Sequence, residues 1–407
     1  MEFWRNRRIA IALCGGIAAY KVCELVSALA KQEADVRVVF TPGAEKFVSP
    51  LTFATLSRQP AYVDADFWNP SAGRPLHIQI ADWAEAIAIA PLTANTLGKL
   101  AYGLADNLLT NLVLASTCPI LLAPAMNTNM WQQAPVSQNW DSVQKSDRFW
   151  PVAPNAGRLA CDAVGTGRMA EPQEIEASLL ALLWTRGQRD WAGRNVLVSG
   201  GGTREHWDAV RFLGNPASGK MGWAIARAAA DRGADVTLVS GKLALSDRDY
   251  PKSGFNLIEV TRAEEMRSQL AEHFPNADYT FMSAAVSDVR PTFSARTKLP
   301  KSELPQSLPL ELVPDIVAEL AQNQRPEQKL IGFAAQTGDP MTPALEKLKR
   351  KGLDAIAANA IDKPDGGFAS DSNQMIWLSR AGDRREIPLC SKLEVAHHLL
   401  DFDKTLE

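Results

Sequence analysis

The sequence is poor in the features that mark several large protein classes. It holds five cysteines and no C-x-x-C pair. That pattern argues against a disulfide framework and a thiolate zinc site, and implies a reducing, cytoplasmic setting. It has no excess of positive charge: 43 Lys and Arg against 46 Asp and Glu leave a net charge of −3. Nucleic acid and anionic membranes are therefore not expected partners. No uninterrupted apolar run is long enough to span a bilayer. One segment imitates an export signal, with Arg5, Arg7 and Arg8 ahead of the apolar run Ile9 to Tyr20. Beyond Lys21 the run continues as an amphipathic helix, with Val22, Leu25, Val26 and Leu29 at helical spacing, so the signal reading is rejected.

What is present is a chain of 407 residues, 46% apolar, which predicts about two or three soluble domains with ample core. The first unit reads strand (Arg8 to Leu13), glycine turn (Gly15, Gly16), helix (Ile17 to Lys31) and strand (Val36 to Phe40). Further strands are predicted at Ala86 to Ala90 and Pro119 to Ala123. The first ends in the polar turn Pro91-Leu92-Thr93-Ala94-Asn95-Thr96 and the second in Pro124-Ala125-Met126-Asn127. Strands alternating with helices imply a parallel sheet covered on both faces, whose ligands sit beyond the carboxyl ends of the strands. Pro154 to Pro172 reads as a glycine-rich loop carrying Cys161 and Arg168, and loops of that length are more often functional than structural. A helix follows at about Ile175 to Trp184. The polar segment Thr185 to Asp190 marks a domain boundary, giving domains 1–188 and 189–407.

The second half restarts the pattern. Asn195 to Gly222 combines a strand, the glycines Gly200 to Gly202, the donors Arg204, Arg211 and Asn215, and the Ser218-Gly219-Lys220 turn that opens a helix. This is a phosphate-binding arrangement. Gly214 to Lys220 nearly matches a P-loop, but Met221 stands where a Mg²⁺-binding Ser or Thr belongs, so the stretch reads as an anion-binding turn. Thr203 to Ser218 reads as an inserted binding loop. Later come a strand at Tyr279 to Met282, a lysine-bearing loop at Lys298 and Lys301, a strand at Leu330 to Ala334, a basic helix with Lys347 and Lys351, and a hairpin plus final helix from Met375. The fold class is α/β, with two Rossmann-like domains, each a mainly parallel sheet flanked by helices.

An NAD site needs an acidic residue near the end of the second strand to hold the ribose. Thr41 and Ser240 stand there instead, so a phosphate or a flavin suits these turns better. Taken singly, Cys14, Cys23, Cys118 and Cys390 read as small core residues and His77 as a satisfied core histidine. Cys161, among glycines on a loop, reads as either functional or merely tolerated.

Taken together, the motifs resemble a known family. They are Gly15-Gly16-Ile17-Ala18-Ala19-Tyr20-Lys21, His77, Pro124-Ala125-Met126-Asn127, and Cys161 with Gly165, Gly167, Arg168 and Met169. In the second half they are Gly202-Thr203-Arg204-Glu205, Val210-Arg211-Phe212, Asn215, Ser218 to Gly222, Asp288, Pro314-Asp315-Ile316-Val317 and Gly332-Phe333-Ala334-Ala335. Nearly the whole chain resembles the bifunctional bacterial family of coenzyme A synthesis that fuses phosphopantothenoylcysteine decarboxylase to CTP-dependent phosphopantothenate–cysteine ligase.

The resemblance implies FMN in the first domain, trimers with the flavin at the subunit interface, and cofactor contacts from Gly15, Gly16, Ile17, Thr41, Pro91, Thr93, Ala94 and Asn95. His77 matches the catalytic histidine, Asn127 the asparagine that holds the substrate carboxylate, and Cys161 the proton donor on a substrate-covering flap. An ordinary cysteine, with pKa ~8.5, is mostly protonated at neutral pH and can donate. In the second domain the resemblance implies activation of 4'-phosphopantothenate by CTP to an acyl-cytidylate, with Mg²⁺, and displacement of CMP by L-cysteine. Asn215 and Arg211 match that step. CTP contacts fall on Met282, Ser283, Ala284, Asp288, Lys298, Pro314, Asp315, Ile316, Val317, Phe333, Lys347 and Lys351. The magnesium ligands are not assigned.

Three positions depart from the family pattern: Val313 where Asn is frequent, Gln336 where Glu is frequent, and Pro300 in a run that usually carries one more lysine. Two other readings stay open, a flavin-dependent oxidoreductase with net electron transfer and a regulatory binding protein on the decarboxylase fold.

Overall fold

The computed structural model describes residues 3–69, 73–243, 253–360, 362 and 370–406. The chain divides into two compact units, Met1–Arg189 and Asp190–Glu407. Among the described residues no helix is long and apolar enough to cross a membrane.

The first unit runs β1 (Arg8–Leu13), α1 (Ala19–Lys31), β2 (Asp35–Phe40), α2 (Pro50–Ser57), β3 (Ala61–Tyr62), α3 (Leu76–Trp83), β4 (Ala86–Leu92), α4 (Ala94–Tyr102), α5 (Leu108–Ala115) and β5 (Ile120–Pro124). It continues through α6 (Thr128–Trp131), α7 (Ala134–Gln144), β6 (Phe149–Pro151), β7 (Asn155–Arg158), β8 (Val164–Arg168) and α8 (Pro172–Trp184). Six strands form one parallel sheet in the order β3-β2-β1-β4-β5-β6. The order reverses between β1 and β4, where a parallel sheet opens a crevice at its carboxyl edge. Strand β1 is buried from Ile9 to Leu13, as a strand covered on both faces must be. Arg7 and Arg8 pair with Glu85. The basic cluster that imitates an export signal is therefore the polar lead-in to a core strand.

Pro154 to Pro172 is not an unstructured loop. β7 and β8 pair as an antiparallel hairpin with Cys161 at its tip. The alternation that betrays a strand is interrupted because Gly157 and Gly165 face each other across the hairpin. Gly167 lies at φ +147°, and a Cβ there would strike the carbonyl oxygen of Met126 at 2.2 Å. The Met126 N–H in turn donates to the Gly167 carbonyl at 3.0 Å. Glycine thus lets the hairpin seat directly on the turn that follows β5.

The second unit runs β9 (Asn195–Gly200), β10 (Arg204–His206), β11 (Phe212–Gly214), α9 (Lys220–Asp231), β12 (Asp235–Gly241), β13 (Asn256–Val260), α10 (Ala263–His273), β14 (Tyr279–Met282), β15 (Val289–Pro291) and β16 (Leu310–Leu312). It closes with α11 (Ile316–Gln322), β17 (Lys329–Gln336), α12 (Met341–Lys351), β18 (Ala355–Ala360), β19 (Ser372–Ser379), β20 (Arg384–Ser391) and α13 (Lys392–Asp403). The main sheet is ordered β13-β12-β9-β14-β17-β18-β19-β20. Its first six strands are parallel and repeat the order of the first unit; β19 and β20 add an antiparallel hairpin. Thr203 to Ser218, expected as an inserted binding loop, contains the short hairpin β10–β11.

Side chains alternate between the faces of a strand. Val196, Val198, Phe281 and Ile331 pack with Trp223 of α9 and Val395 and Leu399 of α13. Leu197, Met282 and Leu330 pack with Met266 of α10, Leu320 of α11 and Leu348 of α12. Helices α9 and α13 therefore cover one face, and α10, α11 and α12 the other.

Candidate functional site

Each unit holds a cavity at the carboxyl edge of its sheet. The first measures about 1120 Å³ and is lined by turns from β1 (Gly15, Gly16, Ile17), β2 (Thr41), β4 (Thr93, Ala94, Asn95, Thr96) and β5 (Met126, Asn127), together with Cys161 and Arg168 of the hairpin. Gly15 approaches Gly43 closely enough that a Cβ would lie 2.8 Å from its backbone, which brings the first two turns together. Thr93 caps α4, its hydroxyl accepting from the Thr96 N–H. The α4 N-terminus thus faces the cavity with the positive end of its dipole. The Thr41 hydroxyl donates to the Leu13 carbonyl at 3.0 Å. Cys14 is buried beneath this floor, and burial pushes its thiol up.

At the mouth, the Asn127 side chain donates from Nδ2 to Sγ of Cys161 at 3.2 Å. Cys161 is exposed, and its thiol is held below the ordinary value, first by the backbone N–H of Ala163 and then by Asn127. It is not the ordinary cysteine of the sequence reading. The hairpin is tied down by residues that sequence reasoning did not assign. Glu171, at the start of α8, accepts from Lys21 of α1 at 2.9 Å and from Arg168 of β8 at 2.9 Å. Its partner Lys21 is 150 positions away, so no local pattern marks it.

Two expected residues do not line this cavity. Pro91 lies in β4, just before the Thr93 turn. His77 sits on α3, edge-on to Phe67 with ring centroids 5.2 Å apart, and its Nδ1 has no hydrogen-bond partner among the described residues.

The cavity of the second unit measures about 560 Å³. Its wall unites Asn215, the Ser218 to Gly222 turn, Met282 to Asp288, Leu312 to Val317, Phe333 to Ala335, Lys347 and Lys351. The turn after β14 is held against β9: the Ser283 hydroxyl donates to the Ser199 carbonyl at 2.6 Å, and the Ser287 N–H donates to the Thr203 hydroxyl at 3.0 Å. Asn215 donates from Nδ2 to the Val286 carbonyl at 3.1 Å. Lys347 donates to the Phe333 carbonyl at 2.7 Å, and Lys351 pairs with Asp315. Burial lowers both lysines, and Asp288 opposes that shift in each. Val313 uses its backbone N–H, donating to the Asp288 carbonyl at 3.0 Å, so this contact does not depend on the departing side chain.

Lys298 and Arg211 lie outside the wall. Lys298 is exposed. Arg211 is turned to Asp208 at 2.5 Å and donates to the Leu299 carbonyl at 3.3 Å. Asp208, 1% exposed, also accepts from the backbone N–H groups of Val210, Arg211 and Leu299. Burial raises its pKa, but these bonds outweigh that and bring the carboxyl to about 2. Asp208 thereby ties the β10–β11 hairpin to the Lys298 segment. Sequence reasoning also passed over Asn359, Asn373 and Lys392, which line the cavity from β18, β19 and α13. Among the described residues no group of three or more His, Cys, Asp or Glu is placed to hold a metal ion.

A parallel sheet and a mainly parallel one of like order, each with a cavity at its carboxyl edge, define a two-domain α/β protein. The comparisons agree domain by domain: residues 3–183 match the family model "Flavoprotein", and residues 191–405 match "DNA/pantothenate metabolism flavoprotein C-terminal domain". The coenzyme A biosynthesis bifunctional protein CoaBC of Bacillus subtilis is 40% identical over 395 residues, covering 97% of this chain and 96% of that protein. CoaBC of Vibrio cholerae is 38% identical, covering 96% of each. A crystal structure of the C-terminal domain of a CoaBC protein is 33% identical, covering 53% of this chain and 96% of that one, with a TM-score of 0.45. The chain belongs to the family of bifunctional coenzyme A biosynthesis proteins, which are phosphopantothenate–cysteine ligases and phosphopantothenoylcysteine decarboxylases.

Proposed function

We propose that the first unit binds FMN in the larger cavity and there decarboxylates 4'-phosphopantothenoylcysteine to 4'-phosphopantetheine. The second unit forms that substrate from 4'-phosphopantothenate, L-cysteine and CTP. The observation that carries the first half is the Asn127–Cys161 pair at the mouth of a cavity floored by glycine turns and the α4 N-terminus. Close backbone approach and helix N–H groups suit a phosphate, and the wide cavity suits a flat ring system. Gly15, Gly16, Ile17, Thr41, Thr93, Ala94 and Asn95 hold FMN, with Pro91 behind them. FMN supplies a two-electron oxidation and its reversal when bound. Asn127 orients the substrate carboxylate, and Cys161 delivers a proton from Sγ as the hairpin excludes water.

His77 is the third group, and it does not line the cavity of its own chain. This supports a homotrimer in which His77 completes the site of a neighbouring copy. Tyr20, Trp68 and Tyr102, each more than half exposed, are apolar surface of the kind such an interface covers.

In the second unit, Asn215 and the Met282 to Asp288 turn hold the reacting centre. Lys347, Lys351 and the Pro314 to Val317 segment hold CTP. Where Mg²⁺ accompanies the nucleotide, Asp288 would supply it a carboxylate and the ion would offset phosphate charge. Arg211 and Lys298 act from the flanking loop that Asp208 secures.

Mass spectrometry of products from 4'-phosphopantothenate, L-cysteine and CTP, with no added reductant, tests this reading. The expected products are 4'-phosphopantetheine, CO2, CMP and diphosphate, from a yellow protein that retains FMN. A requirement for a stoichiometric reductant would overturn the decarboxylase half, and failure to release CMP would overturn the ligase half.

A further inference from the structure

The cavity of the second unit carries a second pair of lysines. Lys347 and Lys351 reach it from α12, which packs on one face of the sheet. Lys220 is the first residue of α9 and Lys392 the first of α13, and both helices pack on the opposite face. One cavity at the sheet edge is thus lined by two cationic pairs that arrive from opposite sides.

The Lys220–Lys392 pair is built into the protein. Lys392 is only 7% exposed and donates to the Ser370 carbonyl at 2.5 Å. Lys220 pairs with Asp371, a largely exposed carboxylate. Burying an ammonium group is costly, and placing a second one beside it adds repulsion. Burial, and then Lys220, bring Lys392 to about 8 against the pull of Asp371. Gly219 precedes Lys220 at φ +83°, and the Lys220 N–H donates to the Ser218 hydroxyl at 3.5 Å. This start of α9 lines the same wall as the two lysines. Buried Asn373 adds a polar side chain there.

We propose that Lys220 and Lys392 form a phosphate-binding site for a ligase substrate, at the pole of the cavity opposite Lys347 and Lys351. The inference rests on reading this cavity as the ligase site. The activation step joins two phosphate-bearing molecules, the acid and CTP, with loss of diphosphate, so two phosphate sites are required. A phosphate held at each pole leaves the carboxylate and the nucleotide's α-phosphate to meet between them, beside Asn215 and the Ser283 to Asp288 turn. The shared chemistry is a phosphate group, and its source is either the 4'-phosphate of the acid or the triphosphate of CTP.

Steady-state ligation by the full chain carrying Lys220→Gln or Lys392→Gln distinguishes the sources. The KM for 4'-phosphopantothenate is measured at saturating CTP, and the KM for CTP at saturating acid. One of the two is expected to rise by about tenfold or more, the loss of one charge-assisted contact, with kcat within about threefold. A rise for the acid assigns the site to the 4'-phosphate, and in that case unphosphorylated pantothenate is used equally by variant and parent. A rise for CTP assigns it to the triphosphate. Unchanged KM values for both substrates, or a fall in kcat alone, would overturn the proposal. Lys392 is buried, so its variant is read only alongside its thermal unfolding midpoint; the less constrained Lys220→Gln carries the test if that midpoint falls. The underlying reading fails separately, if Asn215→Asp and Lys347→Ala leave ligation intact.

Discussion

Asn127 holds the thiol of Cys161 from its side-chain Nδ2 at 3.2 Å, while its Oδ1 accepts from the Asn129 N–H at 2.8 Å as the cap of α6. The cap fixes which end of the amide faces the thiol. A donor facing sulfur stabilises the thiolate, which is one reason the Cys161 thiol lies below its ordinary value. A thiol can give a proton only while protonated, so lowering its pKa moves the loss of the donor to lower pH. Asn127→Ala is expected to shift the titration of Cys161 upward, read as the pH dependence of its alkylation by iodoacetamide. An unchanged titration would leave the Ala163 N–H as the sole cause.

The roles of His77 and Cys161 separate in time and, by the proposed assembly, in space. Cys161→Ser is expected to release CO2 without completing reduction, and His77→Asn to release none. Co-expression of the two inactive variants is expected to restore part of the activity, because mixed trimers contain sites with one intact copy of each residue. No recovery from verified mixed oligomers would place both residues in one chain's site.

Asn215→Asp is expected to impair ligation while sparing decarboxylation of supplied 4'-phosphopantothenoylcysteine, since the two cavities belong to different units. Its Nδ2 donates to the Val286 carbonyl, and a carboxylate there would face that oxygen without a proton to give. Loss of both activities would point instead to misfolding or coupled sites.

Lys347→Ala is expected to weaken CTP, UTP and ATP alike, by about 1–3 kcal/mol for one charge-assisted contact. A charge attracts any triphosphate and cannot read a base. Asp288→Ala should weaken CTP strongly, and alter base preference only if its turn reads the cytosine edge. Apparent affinities for the three nucleotides decide this; a changed base preference in Lys347→Ala would remove the lysine from the phosphate role.

Asp403 makes stability depend on pH. It is fully buried, and burial brings its carboxyl to about 8 despite the hydrogen bond it accepts from Trp377 Nε1 at 2.7 Å. Between about pH 4 and 8 the folded chain therefore holds a proton that the unfolded chain has released, and stability falls as pH rises through that window. Asp403→Asn keeps an acceptor for Trp377 and needs no proton. It is expected to flatten this dependence and to raise the unfolding temperature at pH 8. An equal slope in variant and parent would show that Asp403 is ionised when buried.

Much of the fold was legible because its signals are local. Arg8 to Lys31 shows strand, glycine turn and amphipathic helix within one stretch, and β1 and α1 lie there, the helix starting at Ala19 rather than Ile17. The basic helix with Lys347 and Lys351 and the final hairpin were likewise readable from residue type and spacing. The β7–β8 hairpin was not, because its glycines carry no alternation and its seat on Met126 depends on a contact distant in sequence.

Sequence alone determined the elements, the two repeated halves and most cavity residues, because strand ends, glycine turns and helix starts are short-range choices of the backbone. Tertiary structure decided which of those turns meet. It carried Lys392 to the wall that holds Gly201 and Lys220, kept His77 off the wall that holds Cys161, and brought the Leu299 N–H to Asp208. Those outcomes follow from strand order and from which sheet face each helix covers. Both are set by burying apolar surface across the whole unit, which no single stretch of residues encodes.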